Sequence, residues 1–261
     1  MPPTALCTLA NCNFAYQLRW GVTVFWKKPA FSDDWLATLR TATTPDGVRI
    51  LRHRFIGPDC SQFLISTRPP TKPSTIIWSI KGRLQNLIRD ERPLALQRNY
   101  DVRSVGSTKL DKIESYVARQ LQHHAIDQDQ RTSDFRDLQF VDPEIDLSQP
   151  GFTAHGRHSC NLHIVFVLSR SESGIDQTGW VTVRDMIRKA SAAKEHRLSR
   201  LGIVPDHLHM TLGVHPDDAP AEVALSYMNN IGFALGMRPV LMHSCYIGGV
   251  EAYDLGSVKS R

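Results

Sequence analysis

The segment VPDHLHMTLG at residues 204–213 has a weaker counterpart, GPDCSQFLIS, at residues 57–66 of the same 261-residue chain. In each segment a Pro-Asp pair, which is typical of a turn, precedes a short strand-like run. The two pairs lie at an offset of 147 residues, from Pro58 to Pro205. The sequence therefore predicts a turn followed by a strand in both places, and the repetition indicates an internal duplication.

The resemblance between the two halves continues on both sides of these turns. Predicted strands at residues 16–26 and 160–168 are both rich in β-branched and aromatic residues, and Pro73 and Pro220 share the offset of 147. The remaining predicted pairs are helices at Asp33–Ala42 and Val183–Leu201, helices at Ser74–Leu87 and Ala221–Leu235, and strands near Tyr100–Val105 and Cys245–Val250.

This order of elements predicts an α+β fold. We expect two ferredoxin-like α/β sandwich domains with antiparallel sheets, at residues 1–126 and 151–261, arranged as an intramolecular pseudo-dimer. Residues 127–150 are polar and acidic and contain Pro143, which predicts an extended linker.

Composition sets weak limits on function. The net charge of +5 and the pI of about 9.0 favour a polyanionic partner, though such a balance also occurs in proteins that never bind nucleic acid. The five cysteines are scattered and form no CxxC pair, which favours a reducing cytosol over a disulfide scaffold. No secretory signal or membrane span is expected, so we expect a cytoplasmic protein.

Two histidines in the second half are candidate metal ligands. Residues two apart on a strand point to the same face, so His207 and His209 can face one point while Leu208 packs behind them. Two imidazoles form half of a metal site, which a third ligand would complete. Surface or hydrogen-bonded histidines fit the same pattern.

A tyrosine in the first half is a candidate nucleophile. Tyr116 and Gln120 are four residues apart in a predicted helix, Thr108–His124, so they share one face of it. The tyrosine could then reach a phosphate while the glutamine oxygen reaches a metal. Packing is the commoner role of a helical tyrosine.

Together these segments resemble the HUH single-tyrosine transposases. PDHLH (205–209), with RLGIV (200–204) before it and NLHIVFV (161–167) as an opening strand, is similar to their HUH region. VGSTKLDKIESYVARQ (105–120) is similar to their nucleophile helix. The resemblance extends to the branch that includes the REP-associated tyrosine transposases, and it covers most of both halves at low similarity.

The resemblance implies a site and a reaction. Members work as dimers in which the tyrosine helix of one subunit can dock on the HUH site of the other. Carried over, Tyr116 is the nucleophile that forms a 5′-phosphotyrosine link, and His207, His209 and Gln120 hold a divalent ion, Mg or Mn. The implied partner is single-stranded or hairpin DNA, and the implied location is the bacterial cytoplasm, in association with the nucleoid.

The departures from the family pattern are complementary. Cys60 and Gln62 stand where the histidines of the first half are expected, so that metal site should be dead. The second half keeps both histidines, but Arg261 stands about where its tyrosine is expected. A monomer that acts as a fused pseudo-dimer with one surviving composite site would show this pattern.

Four basic residues on the predicted helices are candidate DNA contacts, because lysine and arginine supply most of the attraction to phosphates. They are Lys81, Arg83, Arg188 and Lys189. Solvated helix faces are the ordinary alternative for each of them. Trp78, on the same helix as Lys81, is expected in the core rather than stacked on a base.

Two other functions remain compatible with these residues. A non-catalytic DNA- or RNA-binding protein of the same fold would bind nucleic acid equally well after Tyr116→Phe. An unrelated metallohydrolase built on His207 and His209 would keep its metal-dependent turnover after that substitution and would form no covalent DNA adduct.

Overall fold

The computed structural model describes residues 5–28, 30, 32–123, 135–169 and 174–251. Its strands are β1 (Asn13–Gln17), β2 (Arg19–Trp26), β3 (Val48–Gly57), β4 (Cys60–Thr67), β5 (Leu96–Val105), β6 (Phe140–Val141), β7 (Gly151–Phe152), β8 (Gly156–Leu168), β9 (Arg197–Val204), β10 (His207–Val214) and β11 (Leu241–Gly249). Its helices are α1 (Leu36–Thr43), α2 (Pro73–Leu87), α3 (Leu110–Ala118), the short α4 (Gln120–His123), α5 (Gln177–Ala193) and α6 (Pro220–Ala234).

The predicted α+β class is confirmed. The strands form one large, mostly antiparallel sheet with the order β3-β4-β2-β5 in the first half. In the second half β10 lies between β9 and β8, and β11 pairs with the other side of β8, which gives the order β9-β10-β8-β11. Each half therefore runs β-α-β-β-α-β with the same spatial order, that of a ferredoxin-like unit.

Two parallel pairings join the halves. The first residues of β8 pair with β5, and β1 pairs with β11. The helices α1, α2, α5 and α6 place their apolar stripes on the sheet. In α2, for example, Ile76, Ile80 and Leu84 recur at helical spacing and are fully buried, and Pro73 begins the helix where its missing N–H costs nothing.

Several predicted boundaries differ from the structure. The helix predicted to reach Leu201 ends at Ala193, because Glu195 adopts a positive φ of 56° and β9 begins at Arg197. The helix predicted over Thr108–His124 begins at Leu110 and breaks after Ala118.

The predicted linker is also more ordered than an extended connector. Phe135, Leu138 and Leu147 are buried, and β6 pairs with β9 at the edge of the sheet. Apolar side chains in an otherwise polar segment therefore hold residues 135–150 against the second half. Residues 124–134 lie outside the described residues, and the domain boundaries stay a prediction.

Trp78 is not in the core, contrary to the prediction. Its side chain is 79% exposed on α2, because the buried stripe of that helix is formed by Ile76, Ile77, Ile80 and Leu84. All five cysteines are free thiols, and no described helix is long and apolar enough to span a membrane.

Candidate functional site

The hairpin β9–β10 presents the two histidines on one face of the sheet. Its turn is Pro205–Asp206, and β10 begins at His207. Side chains alternate along the strand, so Leu208 and Met210 point away from the histidines into the core, where both are almost fully buried. The imidazole rings of His207 and His209 are 4.7 Å apart between centroids.

Helix α3 from the first half lies against this face of the second half. The rings of Tyr116 and His209 meet edge to face, with centroids 5.5 Å apart. Val117, the next residue, is buried. A carboxylate oxygen of Glu114 is 3.9 Å from an Nη atom of Arg200 on β9, so an ion pair accompanies the apolar contact. Residues from both halves therefore border one site.

Gln120 reaches the site although it does not continue α3. The helix ends at Ala118 with Arg119 as its C-cap, whose N–H donates to the carbonyls of the preceding turn. The chain resumes as α4, and the side-chain amide of Gln120 lies 2.8 Å from Nε2 of His207. Tyr116 and Gln120 thus converge on the site from two helical pieces instead of from the single helix face that the sequence predicts.

Gly202 makes this convergence possible. It pairs with His209 across the hairpin, and a Cβ built on it would lie 2.3 Å from Oε1 of Gln120 and 3.0 Å from a methyl carbon of Val117. Real Cβ atoms do not approach other atoms so closely. A residue with a side chain here would push Gln120 and α3 away from the histidines.

Each histidine has a second partner that orients its ring. Nδ1 of His207 is 2.6 Å from a carboxylate oxygen of Asp206, so this nitrogen donates and Nε2 carries the lone pair that faces Gln120. Nδ1 of His209 is 2.9 Å from Nε2 of His163 on β8. Burial lowers the pKa of His163 to about 4, so this ring stays neutral and can accept the proton of His209.

The site contains nitrogen and oxygen atoms that could bind a divalent ion. Oε1 of Gln120 is buried without a hydrogen-bond partner among the described residues, and an unpaired buried carbonyl oxygen is costly. Rotation of the amide by 180° would bring this oxygen to the atom position that faces His207. Two imidazole nitrogens with outer-shell partners and one amide oxygen suit a metal site with open positions. No group of three His, Cys, Asp or Glu side chains in the described part of the chain is arranged to hold a metal.

The first half carries the corresponding hairpin with different side chains. Cys60 pairs with Gly57 across its turn, as His207 pairs with Val204 in the second half. Gln62 is fully buried, and neither atom of its amide has a partner among the described residues. A thiol and an amide thus occupy the positions of the two imidazoles.

The four predicted DNA contacts have different surroundings. The ammonium of Lys81 donates to the carbonyls of Arg98 and Asn99, and burial lowers its pKa to about 8.

Arg83 donates two hydrogen bonds to Asp46. Arg188 and Lys189 are exposed on α5, and the guanidinium of Arg188 lies 4.7 Å from the ring centre of Phe140. The second pair is therefore better placed than the first to meet a phosphate.

The fold and the site together describe an α+β chain in which a cluster of two histidines and one glutamine faces a tyrosine. Residues 157–231, which contain β8 to β10 and most of α6, match the protein family described as IS200-like transposases. Over these residues the chain is similar to that family, which confirms the resemblance seen in the sequence.

Two solved structures are similar to parts of the chain. One is the REP-associated tyrosine transposase bound to a REP hairpin, with 13% identity, a TM-score of 0.31 and coverage of 38% of this chain and 60% of that chain. The other is a Deinococcus radiodurans R1 protein assigned as a transposase, with 16% identity, a TM-score of 0.31 and coverage of 44% and 92%. The chain thus spans under two thirds of the first of these proteins. A search of curated proteins found no match.

Three contributors to the site were not predicted. Asp206 and Gly202 lie within the segments quoted for the resemblance, but a turn residue and a glycine carry no obvious chemistry. His163 is two residues from Asn161 and from Val165, so all three side chains lie on one face of β8. This alternation along the strand was the signal that could have identified His163.

Proposed function

We propose that the chain is a transposase-like endonuclease and strand transferase for single-stranded or hairpin DNA, with one composite site and Tyr116 as nucleophile. The observation that carries the proposal is the meeting of the two halves. The ring of Tyr116 lies 5.5 Å from that of His209, and Gln120 lies 2.8 Å from His207. These are the four residues that the family resemblance implies for such a site.

The symmetry of the sheet supports a pseudo-dimer. Tyr100 on β5 pairs with Val24 of its own half and with Gly156 of the other half. Cys245 on β11 pairs with Phe166 of its own half and with Phe14 of the other half. The strand β5 therefore lies between β2 and the first residues of β8, and β11 lies between β8 and β1.

The side chains at the two junctions are complementary in size. At one junction a large Tyr100 faces Gly156, where a Cβ would lie 2.1 Å from the tyrosine ring. At the other a small Cys245 pairs with the bulky Phe14. An exchange of large and small residues across two equivalent contacts supports divergence from a symmetric dimer interface.

The proposed reaction is a transesterification. The phenolic oxygen of Tyr116 forms a bond to the scissile phosphorus while the bond from phosphorus to the 3′ oxygen breaks. The phenolic proton passes to water, and the 3′ oxygen leaves as a hydroxyl after it takes up a proton. One phosphodiester is replaced by another, so strands can be rejoined without ATP.

The residues of the chain position and charge the site for this step. A divalent ion, Mg or Mn, bound by His207, His209 and Gln120 would polarise the non-bridging phosphate oxygen, which a phenol with an ordinary pKa of about 10 requires as a weak nucleophile. Asp206 and His163 fix the two imidazole rings. Helix α3 holds the tyrosine against His209, so the attacking oxygen approaches from the first half.

The proposal is tested by a search for a covalent product. Labelled single-stranded DNA and Mn²⁺ are incubated with the chain, and denaturing electrophoresis detects a protein–DNA adduct. We expect the adduct with the unmodified chain and its loss in Tyr116→Phe and in His207→Ala.

Two matched controls show whether the loss is specific. Tyr16→Phe changes an exposed tyrosine on β1, and His215→Ala changes an exposed histidine after β10. Both should keep the adduct. DNA binding without an adduct, unchanged by Tyr116→Phe, would instead favour a nucleic-acid-binding protein that has lost the chemistry.

A further inference from the structure

A cavity of about 380 Å³ lies beside Tyr116, between α3 and the strands β8, β11 and β1. Its walls include Tyr116, His163 and Tyr246, and Gln17 on β1. The volume is at the lower end of the range for small-molecule sites, which suits a ligand of the size of one nucleoside. A double helix could not enter it.

The cavity is continuous with the candidate site. Tyr116 borders the cavity on one side and contacts His209 on the other. His163 also lines the cavity, and its Nε2 is bonded to His209. A phosphate held between Tyr116 and the histidines carries a nucleoside on each side, and the cavity is a space into which one of them can turn.

The chemistry of the lining fits an unpaired base. The ring of Tyr246 lies across Gly248, because a Cβ built there would be 2.5 Å from the tyrosine oxygen and 2.9 Å from the ring carbons. The ring is thereby supported by backbone, and its centroid lies 6.0 Å from that of His163. An aromatic ring that is held in this way offers a stacking surface for a base.

Polar groups surround the ring. The hydroxyl of Ser107 donates to Oε1 of Gln17 at 3.3 Å, while the Nε2 donors of Gln17 have no partner among the described residues. Lys112 precedes Tyr116 by one helical turn, and its ammonium makes no hydrogen bond or ion pair within the described part of the chain. The cavity thus offers donors to a base edge and one cation to a phosphate.

We propose that this cavity is a subsite for a single unpaired nucleobase next to the scissile phosphate, with the base stacked on Tyr246, its edge within reach of Gln17, and the neighbouring phosphate near Lys112. The inference rests on the proposed function and specifies its substrate as a strand that is unpaired at the cleavage point. A base inserted here fixes the strand relative to Tyr116, which supplies positioning for the attack.

Photo-crosslinking tests the subsite without cleavage. Short oligothymidine with one thymine replaced by 5-iodouracil is bound to the Tyr116→Phe chain, irradiated, and mapped by peptide mass spectrometry. We expect Tyr246 among the crosslinked residues. We also expect Tyr246→Leu to remove this crosslink and weaken binding of the oligonucleotide by about tenfold, and Tyr246→Phe to restore both.

Two further variants complete the test. Phe152→Ala removes an exposed aromatic side chain outside the cavity and should leave binding unchanged. If Tyr246→Leu unfolds, Gln17→Ala at the rim serves in its place and should reduce affinity. The subsite is refuted if the oligonucleotide binds tightly, crosslinks only to residues outside the cavity, and keeps its affinity in both cavity variants. The proposed function is unaffected by that result. A chain that binds neither the four homopolymeric deoxyoligonucleotides nor a pool of DNA hairpins with randomised single-stranded flanks overturns both.

Discussion

Replacement of Gly202 by alanine should damage the candidate site much more than the fold. The added Cβ would lie 2.3 Å from Oε1 of Gln120, 3.0 Å from a methyl carbon of Val117 and 3.3 Å from Oε1 of Gln139. An extra methyl group in a packed region costs about 1–3 kcal/mol, because its neighbours must move. Here the neighbours include the proposed third metal ligand.

The displacement has a larger consequence for the chemistry than for stability. A misplacement of about 1 Å in a positioned group can cost on the order of 100-fold in rate. We therefore expect Gly202→Ala to lower the free energy of unfolding in urea by about 1–3 kcal/mol. The variant should also bind Mn²⁺ more weakly and form the DNA adduct about 100-fold more slowly. Isothermal titration with Mn²⁺, urea unfolding and adduct formation over time measure the three effects.

Gly82→Ala provides a matched control. Gly82 lies within α2, and a Cβ built on it meets nothing within 4 Å. Alanine is favoured over glycine in a helix by about 1 kcal/mol, so this variant should be slightly more stable and fully active. Wild-type Mn²⁺ affinity and adduct formation in Gly202→Ala would refute the reasoning, because the contact of Gln120 with β9 would then be irrelevant to the site.

Three further expectations follow from the surroundings of single side chains. Lys81→Gln should leave DNA affinity unchanged, because the Lys81 ammonium is bonded to backbone carbonyls. Lys189→Gln should weaken DNA binding and reduce its salt dependence, because Lys189 is exposed. Fluorescence anisotropy measures both. Trp78→Ala should change the free energy of unfolding by less than about 0.5 kcal/mol in urea, since the ring is 79% exposed. Hydrogen bonds from Arg83 hold the pKa of Asp46 at about 2, so the stability that this carboxylate contributes is present above pH about 4 and lost as the pH falls towards 2. Asp46→Asn should therefore lower stability at pH 7 by about 1 kcal/mol or less and flatten this acid decline, and an equally steep decline in the variant would contradict the assignment.

Local sequence patterns predicted the elements that carry the site. The Pro-Asp turn, the alternation in PDHLHMTLG and the repetition in the first half were sufficient to predict the strands β4 and β10. The strands β3 and β9 that precede the two turns were not predicted, and the first residues of β9 fell within a predicted helix. His207 and His209 lie on one face because side chains alternate between the two faces of a strand. These features depend on residues that are close together in the chain.

Features that depend on distant contacts were not predictable in the same way. No proline or glycine marks the break after Ala118. Gln120 reaches the site after this break only because Gly202, in the other half, leaves room for its side chain. The exposure of Trp78 depends on which face of α2 meets the sheet. His163 acquires a role because the register of β8 against β10 brings it to His209.

In the proposed site, Tyr116 acts together with the His207, His209 and Gln120 cluster of the same molecule. Mixing two inactive variants, Tyr116→Phe and His207→Ala, tests this claim with the adduct assay. Each chain carries half of an intact site, so an intramolecular site predicts no adduct from the mixture at any protein concentration. An adduct on the His207→Ala chain that increases with the concentration of the Tyr116→Phe chain would contradict the account, because the tyrosine would then act on the metal cluster of another molecule.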